Sequence, residues 1–236
     1  MAVTATLEIC QTGRVAWLTL HRPERNLLDV PLTAALAETV RRLDEDSAVG
    51  AIALIGDGNT FCGGADGPQL RGSGTGALFA EVAVRLFERL SVSSKPIIAA
   101  VNGDALAGGF GLACAADIVV AVESAMLGTI EAKLGTWPSI AQVPATRRVP
   151  SKAAITNALT GIPFTAQRSL ELGIVDEVVP SRSELIVRCQ EFAELAMAGG
   201  AAAQVGRPLL LRSYDLSYSA ALREGAEAFT RQFEGL

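Results

Sequence analysis

Two glycine-rich turns hold the residues whose chemistry is most informative in this chain. One turn lies at 63–64 and the other at 108–111, and each follows a short apolar run. Glycine lets the backbone approach a neighbouring group closely. Where such a turn leads into a helix, as the one at 108–111 does, the first N–H groups of the helix have no partner within it and the helix dipole is positive there. These turns either present backbone donors to a negatively charged oxygen or simply let a helix pack tightly on its sheet.

The chain offers few side chains for other kinds of chemistry. His21 is the only histidine, so a Ser-His-Asp or Cys-His triad would require this one residue to fold over the site. No P-loop is present, and no GxGxxG turn precedes an acidic residue at the spacing of a dinucleotide site. No paired histidines or clustered carboxylates indicate a metal site. The scattered cysteines are predicted to be reduced thiols of a cytoplasmic protein, and they are Cys10, Cys62, Cys114 and Cys189.

Strand and helix patterns alternate along the chain, which is typical of a layered α/β fold. The predicted strands are 7–10 and 15–20, joined as a hairpin, and then 51–55, 97–101, 118–122 and 174–179. The predicted helices are 31–43, 79–90, 112–116, 181–198 and the amphipathic stripe 218–233. Ser151, Thr165 and a capping box formed by Ser181 and Glu184 are predicted helix starts, and 72–76 is predicted to be a flexible loop.

Length and composition narrow the class of protein. A chain of 236 residues fits one domain, or one domain with a small appendage. Half of the residues are hydrophobic, yet no apolar run is long enough to span a bilayer, and the N-terminus lacks a signal-peptide pattern. We therefore assign the apolar excess to a buried sheet and a subunit interface. A net charge of −5 gives no indication of a nucleic-acid surface.

The two turns lie within segments that resemble the signatures of the crotonase (enoyl-CoA hydratase/isomerase) superfamily. The segment 61–66 reads FCGGAD, and the segment 99–111 reads AAVNGDALAGGFG. The resemblance continues through 114–118 and Glu131 to Pro180, and so covers most of the chain. It implies an α/β fold in which residues 1–180 form a crotonase-like spiral of ββα units. Residues 181–236 would then form a C-terminal helical region for trimer contacts.

The resemblance also implies an oxyanion hole. Matched residue by residue, the two backbone N–H groups that bind the thioester oxygen of an acyl-CoA fall at Ala65 and Gly108. Gly63, Gly64 and Gly109 would let the backbone approach closely enough. Removing a proton next to a thioester carbonyl forms an enolate, whose charge needs donors that are already in position. One such donor is worth roughly 10²–10³ in rate.

Glu131 matches the family's catalytic glutamate, because 127–135 resembles the FGxPExxLG segment. That glutamate is the second catalytic carboxylate of hydratases and the main base of isomerases. Outside this motif, Glu131 would be expected to be a solvated side chain paired with Lys133 or an arginine. Hydratases of the family carry their other glutamate at the position of Gly111. Moving a proton from C2 to C4 of an enoyl thioester needs one group only, so the sequence favours isomerase-type or other enolate chemistry over efficient hydration.

Further substrate contacts are implied around this centre. Asn26 and Leu27 match a segment whose main-chain groups meet the pantetheine or adenine of coenzyme A. Asp66 would lie at the rim of the hole. Trp137 and Pro138 either line the acyl end of the site or pack in the core.

The sequence therefore predicts an enzyme of the enoyl-CoA hydratase/isomerase type that acts on an acyl-CoA. It requires no cofactor beyond the coenzyme A carried by the substrate, and neither a nucleic acid nor a membrane is an expected partner. The expected assembly is a homotrimer or a dimer of trimers. Three alternatives stay open, which are a hydratase with relaxed machinery, another crotonase reaction such as decarboxylation or C–C lysis, and a non-catalytic acyl-CoA-binding protein.

Overall fold

The computed structural model describes residues 6–71 and 74–234. Its strands are β1 Leu7–Thr12, β2 Val15–Leu20, β3 Ala51–Gly56, β4 Thr60–Cys62, β5 Ile97–Val101, β6 Asp104–Leu106, β7 Ile118–Val122, β8 Met126–Gly128, β9 Phe164–Thr165 and β10 Glu177–Val179. Its helices are α1 Val30–Glu45, α2 Gly67–Leu70, α3 Thr75–Val92, α4 Gly108–Ala115, α5 Gln142–Arg148, α6 Ser151–Thr160, α7 Ala166–Glu171, α8 Arg182–Met197, α9 Gly200–Ser213 and α10 Tyr218–Glu234. A 3₁₀ turn lies at Glu131–Leu134.

Two sheets run side by side through the molecule. The larger has the order β1-β2-β3-β5-β7-β10, and the smaller has the order β4-β6-β8-β9. Three times in succession a strand of the larger sheet is followed by a strand of the smaller one and then by helix, as β3-β4, β5-β6 and β7-β8. The larger sheet is parallel from β2 onward, and the smaller is parallel from β4 to β8. This repetition is the spiral of ββα units that the sequence predicts.

The central strands are apolar on both faces because the sheet is covered on both sides. Every residue of β3 and β5 is buried, which explains why these segments read as continuous apolar runs and not as alternating ones. The stripe of α1 that includes Leu32, Leu36 and Val40 is buried and packs with α3. Helix α8 covers the sheet from elsewhere in the chain and buries Leu185 and Cys189.

Most local predictions are confirmed, and some are wrong. The hairpin, the strand at 97–101 and the caps at Thr165 and Ser181 are present, since each cap side chain accepts from the N–H three residues on. Ser151 is not a cap, because it is the first residue of α6 and Pro150 precedes it without a side-chain cap bond. The predicted loop 72–76 falls partly outside the described residues, and its last two residues belong to α3. The predicted strand 174–179 begins only at Glu177.

The C-terminal part of the chain is helical, as expected. Helix α10 carries the predicted apolar stripe, and its side chains at Tyr218, Leu222, Phe229 and Phe233 are all exposed. Helix α8 packs on the central sheet, so the proposed boundary between 180 and 181 stays a prediction. Within residues 6–71 and 74–234 no helix combines the length and hydropathy needed to cross a membrane.

Candidate active site

The two glycine-rich turns meet where the neighbouring strands β4 and β6 of the smaller sheet end. A β-carbon built on Gly64 would lie 3.1 Å from the Gly108 nitrogen, and one built on Gly108 would lie 3.7 Å from the Ala65 nitrogen. A β-carbon on Gly109 would lie only 2.1 Å from the Cys62 carbonyl oxygen, so no larger residue fits there. The geometry therefore brings the backbone of Ala65 next to the backbone of Gly108.

Both of these N–H groups lack an acceptor among the described residues. On either side of Ala65, the Leu28 N–H donates to the Gly64 carbonyl and the Asp66 N–H donates to the Leu28 carbonyl, each at 2.8 Å. This pattern ties down the neighbours of Ala65 and leaves its own N–H unused. Gly108 is the first residue of α4, whose N–H groups at the start cannot bond within the helix. Two backbone donors with no protein acceptor thus lie side by side at the positive end of a helix.

The residue before Gly108 has an unusual backbone conformation. Ala107 has φ 53° and ψ −122°, a region that residues with a β-carbon rarely adopt. A conformation of this kind costs of the order of 1–3 kcal/mol and persists only when the surroundings hold it. The Ala107 N–H donates to the Gly128 carbonyl at 3.0 Å, which fastens the residue to β8. The strained turn sets the direction in which the Gly108 N–H emerges.

Arg22 holds the first turn in place, and sequence reasoning missed it. Its guanidinium lies 2.9 Å from a carboxylate oxygen of Asp66 and 3.4 Å from one of Asp29, and it also donates to the Leu27 carbonyl. The arginine side chain is only 18% exposed. Asp29 and Asp66 each cap the start of a helix, α1 and α2. The sequence does place an aspartate before each of these two helices and an arginine before both. No motif, however, indicates that Arg22 would pair with Asp66, which lies 44 residues away.

Asn26 and Leu27 lie beside the turn at 63–64, and the side chain of Asn26 is already hydrogen-bonded within the protein. Asn26 is completely buried, and its amide donates to the Asp57 carbonyl at 3.0 Å and the Thr60 carbonyl at 2.7 Å. Its φ of 50° is left-handed. The Leu27 side chain lies 3.1 Å from where a Gly63 β-carbon would be. Contact between these main chains and coenzyme A stays a prediction, and Asp66 lies buried in its ion pair at the same edge.

Glu131 follows β8, the strand whose last residue accepts a hydrogen bond from Ala107. Gly128, which bonds to Ala107, lies three residues before it, and Glu131 begins the 3₁₀ turn. Its carboxylate accepts from the Ile130 N–H at 2.9 Å. Burial raises the pKa of the Glu131 carboxyl above its usual value, and the N–H groups of Glu131 and Ile130 oppose that rise. In the part of the chain that is described, Glu131 makes no salt bridge, so the expected pairing with Lys133 or an arginine is absent.

Asn157 of α6 fixes the backbone that carries Glu131. Its side-chain oxygen accepts from the Thr129 N–H at 2.9 Å and from the Thr129 hydroxyl at 2.7 Å. Its amide nitrogen donates to the carbonyls of Thr129 and Ile162 at 3.0 and 2.8 Å. Asn157 and Thr129 are both buried. The four bonds lock the segment just before Glu131, and sequence reasoning missed this residue as well.

Gly111 does not face open space. A β-carbon there would lie 3.1 Å from both the Ala141 Cα and the Phe87 Cζ. A glutamate at this position, as in the family's hydratases, would require the segment around Ala141 to move. Pro138 in that segment is buried, whereas Trp137 is 45% exposed and donates to the Gln142 side chain at 3.0 Å. Pro138 therefore packs in the interior, and Trp137 lies on the surface.

Alternative nucleophiles and metal sites find no support in the described ranges. Burial raises the pKa of the Cys62 thiol to about 12, so this cysteine beside Gly63 is not a thiolate near neutral pH. No group of three or more histidine, cysteine, aspartate or glutamate side chains within residues 6–71 and 74–234 is placed to hold a metal ion. The described residues thus offer a pair of adjacent backbone donors and, three residues after Gly128, one partly buried carboxyl group.

The fold agrees with comparisons to known proteins. A profile of the enoyl-CoA hydratase/isomerase family matches residues 11–233. A probable enoyl-CoA hydratase of Bacillus subtilis is 34% identical over 230 residues, covering 93% of this chain and 87% of that protein. The 2,3-dehydroadipyl-CoA hydratase of Escherichia coli is 31% identical over 226 residues, covering 95% and 89%. The crystal structure of an enoyl-CoA hydratase from Mycobacterium smegmatis superposes with a TM-score of 0.91 at 27% identity, covering 96% of this chain and 90% of that one.

The chain therefore belongs to the enoyl-CoA hydratase/isomerase family, and its fold is the crotonase fold. The catalytic roles of individual residues stay a prediction.

Two glycine variants test separately the role of the donor pair in activity and the role of the close backbone packing in stability. At Gly108 an added β-carbon meets only ordinary contacts, the nearest being Leu28 at 3.4 Å, but it lies over the Ala65 nitrogen. We expect Gly108→Ala to fold with little loss of melting temperature and to lower kcat/KM about 10²–10³-fold, the usual worth of a blocked donor. Gly109→Ala meets the Cys62 carbonyl and should destabilise the fold by about 3 kcal/mol or more. Thermal unfolding and steady-state kinetics on both proteins check this, and equal damage to stability in both would contradict it.

A second pair of variants tests the clamp on the Glu131 segment. Asn157→Ala leaves buried Thr129 groups without partners, each costing about 1–3 kcal/mol, and frees the segment that carries the carboxylate. We expect a lower melting temperature and a fall in kcat that exceeds any rise in KM. The neighbouring Thr156→Ala changes an exposed residue of the same helix and serves as the control. A kcat that stays at the wild-type value while the melting temperature falls would show that Asn157 serves stability alone.

Proposed function

We propose that the chain acts on an acyl-CoA thioester through an enolate, with the N–H groups of Ala65 and Gly108 as the oxyanion hole. The single observation that carries this proposal is the pair of adjacent backbone donors without a protein acceptor. Ala65 is exposed and Gly108 is half-buried, so a ligand oxygen can reach both N–H groups, and neither has a protein acceptor among the described residues. A thioester carbonyl is the oxygen that gains charge in this chemistry.

Glu131 supplies the proton transfer in this proposal. With the thioester oxygen held by the two N–H groups, the ionised carboxylate removes a proton from C2 of a 3-enoyl-CoA. The electron pair of the broken C–H bond moves into a dienolate, whose negative oxygen is stabilised by both donors. The protonated Glu131 then returns the proton to C4, which gives the 2-enoyl-CoA and restores the carboxylate. Burial makes Glu131 a stronger base than an exposed glutamate, because its pKa is raised.

The position of Gly111 favours isomerisation over hydration. Hydration needs a second group that positions and ionises a water molecule. The space that a carboxylate would fill at Gly111 is occupied by Ala141 and Phe87 instead. The opposite choice, hydration of a 2-enoyl-CoA, is favoured by the names of the Bacillus subtilis and Escherichia coli relatives, both of which are called hydratases.

The reaction is tested by comparing isomerisation with hydration, and wild type with Glu131→Gln. Glutamine keeps the shape and the bond from Ile130 but accepts no proton, so the isomerisation rate should fall roughly 10²–10⁴-fold. Because the base must be ionised, activity should fall as the pH drops through the Glu131 pKa. Since that pKa is raised, the acid limb should lie above the value of about 4.3 for an exposed glutamate. The absorbance of the conjugated thioester follows both reactions.

The outcomes separate the candidate functions. Hydration that exceeds isomerisation and survives Glu131→Gln would mean that another residue supplies the chemistry. A melting temperature that rises with acyl-CoA, without turnover of either substrate, would indicate a binding protein. Gln142→Glu, which places a carboxyl group on the surface near Glu131 in sequence, is a control for charge alone.

We further propose that the protein assembles as a homotrimer or a dimer of trimers. The apolar stripe of α10 leaves Tyr218, Leu222, Phe229 and Phe233 between 58% and 83% exposed in one chain. An exposed apolar surface of this kind is typical of a contact with another protein. We expect light scattering at micromolar concentration to give a mass of three or six chains, and Phe229→Glu to lower it. A stable monomer in the unaltered protein would contradict the proposal.

A further inference from the structure

A cavity of about 560 Å³ adjoins the C-terminal end of α4, whereas Gly108 of the donor pair is at the N-terminal end of that helix. Its volume falls within the range of sites that hold small molecules. Helices α3, α4, α5 and α9 form its walls, and its apolar lining includes Phe87, Val92, Ala115, Pro208 and Leu211. None of these residues belongs to the oxyanion hole or to the Glu131 segment. The cavity is therefore separate from the catalytic groups.

Phe87 is the residue that divides this cavity from the catalytic site. Gly111 lies three residues after Gly108 on α4, so both are on the same face of that helix. The Phe87 Cζ lies 3.1 Å from the place where a Gly111 β-carbon would be, and the same side chain lines the cavity. Ala141 closes the remaining space at Gly111. A chain that extends from the thioester along α4 would therefore meet the phenylalanine ring before it reached the cavity.

The charged groups at the cavity already have protein partners, so its lining favours a hydrocarbon chain over a carboxylate-bearing tail. Arg147 pairs with Asp215, and Arg212 lies 3.0 Å from a carboxylate oxygen of Glu224. Arg148 donates to main-chain carbonyls at the C-terminal end of α4. Each of these three arginines thus already has a protein partner, and the apolar part of the lining suits a hydrocarbon chain.

We propose that Phe87 is the end wall of the acyl site and restricts this enzyme to short acyl chains. The inference rests on the proposed function, because it assumes that the acyl-CoA thioester lies at Ala65 and Gly108. If the ring is removed, the acyl site and the cavity join, and an apolar tail gains a lining to bury against. One methylene more or less on a substrate changes kcat/KM at an apolar site by about 10–200-fold. The length of the accepted acyl chain should therefore depend on this one side chain.

The experiment measures kcat/KM for unbranched enoyl-CoAs from the butenoyl to the dodecenoyl compound. We expect the wild-type value to fall at least about tenfold between the hexenoyl and decenoyl compounds, in line with the effect of added methylenes at a closed wall. Phe87→Ala should raise the ratio of the decenoyl value to the butenoyl value by a similar factor. Phe87→Leu keeps an apolar side chain and should give a smaller shift in the same direction. Adding Leu211→Trp to Phe87→Ala refills the cavity and should reverse the gain.

The matched control is Phe192→Ala. Phe192 is also a half-buried phenylalanine on a helix, but it lies on α8 beside Arg188 and does not line the cavity. It should lower the melting temperature without changing the chain-length profile. A profile that shifts equally in both variants would overturn the proposal, because general loosening would then explain it.

The design separates this inference from the proposed function. If wild type turns over butenoyl and dodecenoyl thioesters equally well, the end wall is wrong while the enolate chemistry stands. If no enoyl-CoA reacts, the proposed function fails, and calorimetry with butyryl-CoA and dodecanoyl-CoA still tests the wall. Phe87→Ala should then strengthen binding of the dodecanoyl compound about tenfold or more, and equal affinities in wild type and variant would contradict it.

Discussion

The structure depends on the close approach of two backbone turns that no side chain larger than hydrogen would permit. Gly109 lies against the Cys62 carbonyl, and Gly64 lies against Ala107 and Gly108. The approach aligns β4 with β6 and places α4 so that its first N–H groups face Ala65. Because the donors belong to the backbone, their direction is set by the register of strands and not by rotamers. A catalytic group that cannot rotate pays no ordering entropy when the substrate arrives.

Each side of this contact has its own polar support, and the two supports differ in kind. On the Ala65 side, Arg22 joins Asp29 and Asp66 in a largely buried ion-pair network. On the Glu131 side, Asn157 uses neutral hydrogen bonds only. A neutral clamp suits its place, because a fixed cation beside Glu131 would stabilise the carboxylate and lower its pKa. Glu131 would then be a weaker base, although the proposed reaction requires it to remove a proton from the substrate.

The features that depend on neighbouring residues in the sequence were predicted correctly, whereas those that depend on residues distant in the sequence were missed. The buried strand 97–101 and the turns at 63–64 and 108–111 follow from apolar runs and glycines alone. Helix α4 starts four residues earlier than predicted, because packing overrides the low helix propensity of its glycines. Arg22, Asn157 and Phe87 act across long sequence separations, so no periodicity or motif marks them. Ser151 looked like a cap, but Pro150 takes that position at the start of α6.

A site built from backbone donors leaves Glu131 as the group that responds to its surroundings. Burial already raises its pKa, while the Ile130 N–H opposes that effect without adding charge. An acyl-CoA that covers the site removes more water from the carboxylate, which disfavours its ionised form further. Substrate binding would thereby strengthen the base at the moment when a proton must be taken, and the uncharged hole would hold the resulting enolate. A second carboxylate facing Glu131 from Gly111 would make the two groups titrate as a coupled pair. Gly111 carries no carboxyl group and lies against Phe87 and Ala141, so no such coupling arises from this position.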